Sequence, residues 1–86
     1  MQVIVVYDVP AKRTRIYRKL LRRRLEHLQY SVFFGELTAG QVTAMKNEIE
    51  SELEPTDSIV VFEFDNPHAF DHTTFGDADE PGSRFT

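Results

Sequence analysis

Eighty-six residues with a net charge of −4 and no cysteine make one small domain and exclude disulfides, thiolate metal sites and a cysteine nucleophile. The longest apolar run, Val3–Tyr7, is far shorter than the roughly 20 residues of a membrane span. No secretion signal is visible either, so no membrane partner and a cytoplasmic location are expected. Charge is split along the chain: residues 1–35 hold eight Lys/Arg against two acids, and residues 36–86 hold two against twelve. A basic segment on an acidic protein points to a polyanion met on one face.

The first element is a strand. Val3, Val5 and Tyr7 alternate with Ile4, Val6 and Asp8, so both faces are apolar until the last residue, as in a central strand. Pro10 ends the pairing and suits the start of a helix. From Lys12 the period changes. Ile16, Tyr17, Leu20, Leu21 and Leu28 fall on one side of a helix, and Arg15, Arg18, Lys19, Arg22 and Arg23 on the other. Its end is expected between Arg24 and His27.

Leu28, Tyr30, Val32 and Phe34 then alternate with Gln29, Ser31 and Phe33, the period of a strand. Gly35 allows a tight turn. Glu36–Thr38 reads as a short strand, reached through a hairpin over Phe34–Glu36 or as the bulged end of one bent strand. Thr38 and Gln41 have the spacing of a capping box. Val42, Met45, Ile49 and Leu53 form the buried stripe of the second helix, with Glu48, Glu50, Glu52 and Glu54 making its remainder anionic. Pro55 stops that helix, and Ser58–Phe64 is a second buried strand with Glu63 as its exception.

This order predicts an α+β, ferredoxin-like split βαβ fold, β-α-β-β-α-β, over residues 1–64, with an antiparallel sheet and both helices on one face. Residues 65–86 form an acidic C-terminal tail, with a candidate extra strand near 70–75. The second sheet face is apolar and lacks a cover within one chain, which predicts a homodimer.

Asp8 is the leading candidate for chemistry. It ends a central strand, where a fold projects groups out of its core. Two copies across a twofold axis would set two carboxylates in one groove, with oxygen ligands suited to Mg²⁺ or Mn²⁺; an Asp that caps the next turn is the plainer alternative. Arg13, Arg15, Arg18, Lys19, Arg22 and Arg23 are the candidate nucleic-acid contacts. Arginine binds phosphate with two parallel hydrogen bonds, and without an interleaved aromatic ladder the contact expected is with duplex backbone. A solvated, paired helix face competes with that reading. His68 and His72, four apart around Asp71, are a weaker metal candidate.

Val-Ile-Val-Val-Tyr-Asp at 3–8, the Arg-rich helix, Gln-Tyr-Ser-Val-Phe at 29–33, Gly-Glu-Leu at 35–37 and Asp-Ser-Ile-Val-Val-Phe at 57–62 resemble the CRISPR-associated Cas two family, the small partner of the Cas one integrase. The resemblance covers residues 1–64 and rests on Tyr7 and Asp8 together with Gln29, Ser31, Phe33 and Gly35 at their spacing. It implies a ferredoxin-like homodimer with Asp8 at the dimer interface and associated with divalent metal. It also implies a role in spacer acquisition, in which the dimer bridges integrase dimers and holds duplex DNA, with Arg13 and Arg15 at positions associated with that role. Some members are described as metal-dependent nucleases on single-stranded RNA or double-stranded DNA. Two positions depart from the family's pattern: His27 stands where Arg is frequent, and Phe34 where a polar residue is. An interaction module unrelated to nucleic acid is the third reading.

Overall fold

The computed structural model describes residues 1–65 and Thr73. Its elements are β1 (Gln2–Asp8), a 3-10 turn (Ala11–Arg13), α1 (Thr14–Leu21), β2 (Glu26–Gln29), β3 (Val32–Glu36), α2 (Ala39–Glu52) and β4 (Ser58–Phe64). The sheet order is β2-β3-β1-β4, and every neighbouring pair is antiparallel. This is the expected split βαβ plan. The extra strand near 70–75, with His68 and His72, lies outside the described residues.

Side-chain alternation decides the layers. Val3, Val5 and Tyr7 of β1 sit beside Gly35 and Phe33 of β3 and beside Glu63, Val61 and Ile59 of β4. Against them pack Tyr17, Leu20 and Leu21 of α1 and Val42, Met45 and Ile49 of α2. Val3, Val5, Tyr17 and Phe33 are completely buried. The other face holds Ile4, Val6, Val32 and Phe34, all half-buried, with Val60 and Phe62 still 46% and 47% exposed. Neither helix reaches this face.

Local signals set the helix limits. Thr38 accepts a hydrogen bond from the Gln41 N–H and the Gln41 side chain accepts one from the Thr38 N–H, completing the capping box that starts α2. Leu53 leaves the helix with extended backbone and is 45% exposed, so the buried stripe ends at Ile49.

Three expectations are corrected. α1 is shorter than its period suggested: it closes at Leu21, and Leu28 belongs to β2. Leu25, outside the predicted stripe, is in the core instead. The hairpin turn falls at Tyr30 and Ser31, ahead of Gly35, with Tyr30 in the left-handed region at φ 50°. Gly35 lies inside β3. A Cβ there would meet the Leu25 Cδ2 at 2.9 Å, so this glycine serves close packing and makes no turn.

Candidate nucleic-acid interface and the Asp8 cleft

Asp8 ends β1 opposite Ser58 of β4 and is exposed. It stands on the rim of a cleft of ≈ 260 Å³ at the end of the sheet, whose walls include Tyr7, Thr14, Arg18, Tyr30 and Ser31. The β2–β3 turn is held over this end by two contacts. The Tyr7 N–H donates to the Ser31 carbonyl at 3.1 Å, and the Tyr30 carbonyl accepts a hydrogen bond from His27 Nε2–H. A carbonyl can only accept, so Nε2 carries the hydrogen of this bond, and His27 Nδ1 is buried without a partner.

The motif residues divide by role. Phe33 is completely buried; the His27 ring stacks on it at 4.6 Å and Tyr7 lies 6.2 Å away. Gln29 ends β2 just past a register shift that follows His27. Tyr7 turns inward while Asp8, the next residue, turns out. The Tyr-Asp pair thus sends one side chain into the core and one to the cleft.

The cations do not all face outward. Lys12, Arg15, Lys19 and Arg22 are exposed and Arg18 is half-buried. Among the described residues none of these five forms an ion pair. Arg23 and Arg24 share the carboxylate of Glu48, at 3.1 and 2.8 Å. Arg13 is turned inward: its guanidinium pairs with Asp57 at 3.0 Å and donates to the Glu52 carbonyl at 2.6 Å. Tyr17 Oη–H donates to the same Asp57 at 2.6 Å.

This latch joins α1 to the start of β4, and reading the sequence missed it. Burial pushes the Asp57 carboxyl up. The hydrogen bonds from Arg13, Tyr17 and the Glu54 N–H outweigh it and hold the group below its ordinary value. Burial and the bond to Asp57 push the Tyr17 phenol up. The only local signal was the Pro-Thr-Asp turn; the Arg partner is 44 positions away.

Among the described residues no three of His, Cys, Asp or Glu stand together as a metal site. One chain offers Asp8 as a lone carboxylate. A lone carboxylate is an oxygen donor of the kind a hard, largely hydrated Mg²⁺ or Mn²⁺ takes, and does not fit zinc, which needs three or four protein ligands. No helix among the described residues is long and apolar enough to cross a membrane.

Comparison with known proteins agrees with this geometry. Residues 1–71 match the family model for CRISPR associated protein Cas2. The chain is 40% identical over 62 residues to the CRISPR-associated endoribonuclease Cas2 of Nanoarchaeum equitans, covering 72% of this chain and 68% of that protein. It is 36% identical over 77 residues to the protein of the same name in Thermotoga maritima, covering 88% of both. A solved crystal structure of Cas2 superposes with a TM-score of 0.83 at 32% identity, covering 100% of this chain and 98% of the other. The Tyr-Asp strand end, the antiparallel sheet and the matched residues together make this chain a member of the Cas2 family of CRISPR associated proteins.

Proposed function

We propose that the chain acts in spacer acquisition as a homodimer that bridges Cas one integrase dimers and holds duplex DNA by its backbone. The observation that carries this reading is the row of exposed cations Lys12, Arg15, Lys19 and Arg22 along α1 and the residues flanking it, none in an ion pair with another described residue. Two copies packed through their open sheet faces, around Val60 and Phe62, would set two such rows on one particle. Each neutralised phosphate releases counterions, so affinity falls steeply with salt. In this reading Arg13 holds α1 in place through Asp57, and Arg15, Arg18, Lys19, Arg22 and Arg23 meet the phosphates.

The test is a reconstituted integration reaction with the Cas one integrase, comparing wild type with Asp8→Ala. Normal integration by the variant supports an architectural role; loss of integration with DNA binding intact removes it. In parallel, Arg15→Glu should weaken duplex binding and lower the slope of log affinity against log salt by about 1 or more. Unchanged binding across the salt series counts against the basic-face reading.

A second reading has a specific observation behind it: relatives of this chain carry the name endoribonuclease, and Asp8 is exposed beside Arg18 in a cleft. Here the dimer is a metal-dependent endonuclease on single-stranded RNA or double-stranded DNA, with Asp8 from each copy holding Mg²⁺ or Mn²⁺. When bound, that ion polarises a phosphoryl oxygen and activates water. The protein's own part is to present the carboxylates and to fix the backbone with the α1 cations. Asp8→Ala should abolish cleavage while dimer and nucleic-acid binding persist, and cleavage that survives the substitution assigns the activity elsewhere.

A further inference from the structure

The β2–β3 turn presents an aromatic ring where its backbone favours a small residue. Tyr30 sits in the left-handed region at φ 50°, a conformation that glycine and asparagine take readily and a bulky side chain takes at a cost. Such outliers persist where the surroundings hold them, and they gather at functional sites. Here the holding contacts are explicit. His27 Nε2–H donates to the Tyr30 carbonyl, and the Tyr7 N–H donates to the carbonyl of the next residue, Ser31. His27 is itself buried and stacked on Phe33. The turn is thus tied to both β1 and β2, and the ring it carries is set in place before any ligand arrives.

Burial does not account for the ring. Tyr30 is 75% exposed, more than any other large hydrophobic side chain described. Phe62 and Val60, next in exposure, belong to the open sheet face. Tyr30 instead forms part of the wall of the Asp8 cleft, together with Thr14 and Arg18 of α1. Arg15 and Arg22 lie three and four positions from Arg18, on the same side of that helix, and both are exposed. An exposed, preset ring beside a stripe of cations has the two parts of a single-strand site: charge that follows the backbone, and an aromatic face on which a base lies. A duplex keeps its base faces inside the stack, so it has none to offer. Every base has a π-face, so a lone ring reads strandedness and carries little sequence preference.

We propose that Tyr30 is the stacking platform for one unpaired base of a single-stranded nucleic acid held on the α1 cations. The proposal rests on the nucleic-acid reading above and deepens it by naming a residue that separates single strands from duplex.

The test measures the affinity of the full chain at low salt for a short oligoadenylate, an abasic strand of the same length and charge, and a duplex of the same length. Wild type is compared with Tyr30→Asn and Tyr30→Phe. Asparagine suits the left-handed turn, so Tyr30→Asn should keep or raise the denaturation midpoint while removing the ring. It should weaken oligoadenylate binding by about 5- to 150-fold and leave abasic-strand and duplex binding unchanged. Tyr30→Phe, which keeps the ring, should bind oligoadenylate like wild type.

Undiminished oligoadenylate binding by Tyr30→Asn overturns the proposal. So do equal losses on all three probes, and so does a Tyr30→Phe chain as weak as Tyr30→Asn, since the ring is then not what binds. A lower denaturation midpoint or altered sedimentation in Tyr30→Asn assigns the ring to folding or to a subunit contact and overturns it too. Wild type that binds the duplex and no single strand overturns this proposal alone; wild type that binds neither overturns the nucleic-acid reading with it.

Discussion

The two faces of the sheet come from alternate residues of the same strands, yet they end in different environments. On one face Val3, Val5 and Phe33 are completely buried under α1 and α2. On the other, Ile4 and Phe34 are half-buried, and Val60 and Phe62 expose nearly half their surface. Both faces are equally hydrophobic in kind, so hydrophobicity does not set burial here; the topology does, by sending both crossover helices to one side. An apolar face that neither helix covers is a candidate surface for another molecule.

The sharpest way to break the comparison is to cut each face in turn. Phe33→Ala removes a completely buried ring that supports both His27 and Tyr7. It should cost about 3–5 kcal/mol, much of what an 86-residue domain has, with a fall in the chemical-denaturation midpoint as the readout. Phe62→Asp on the open face should cost the isolated fold little, because the carboxylate points to water. In a sheet-to-sheet dimer it would desolvate a charge, so sedimentation should report a monomer at concentrations where wild type is dimeric. A Phe62→Asp chain that stays dimeric puts the interface elsewhere.

Much of this division was legible in the sequence. The two-residue alternation in β1 and β4 and the Thr38–Gln41 capping box set elements and faces without reference to anything distant. What escaped depended on tertiary packing. Gly35 looked like a turn because glycine permits one; in the fold it clears space for Leu25 ten positions earlier, while Tyr30, held by His27, takes the turn. α1 was read too long because three further arginines follow Leu21 with no breaker, so nothing local marks where the chain leaves for β2. Within the candidate site, Asp8 and the outward cations followed from position and charge. The inward turn of Arg13 did not, because its partner Asp57 lies across the fold.

That latch supplies the next, smaller effect. Asp57 is held below its ordinary value of 3.8, so its ionised form favours the folded state. The gain stands above about pH 4 and is lost as pH falls through the lower, folded value. Tyr17 is shifted up from 10.0; its gain stands below about pH 10 and is lost as pH rises through the folded value. Asp57→Asn should lower the denaturation midpoint at neutral pH, and the gap to wild type should close as both are taken below pH 4. A gap that is the same at acid and neutral pH would mean that Asp57 acts through its shape and its bond to the Glu54 N–H, without its charge.

The smallest effect is at Glu48, where one carboxylate, 30% exposed, faces two arginines. Arg24 above all, then Arg23, holds it below the usual range. A partly solvated pair of this kind is worth about 0–1 kcal/mol, so Glu48→Gln should barely move the denaturation midpoint. Its consequence lies in charge. Releasing Arg23 and Arg24 adds two unpaired guanidinium groups at the end of the α1 cation row, so duplex affinity should rise and fall more steeply with salt. A flat response would mean that phosphates meet the row only as far as Arg22, and that the two arginines serve the seam between the helices that covers the buried sheet face.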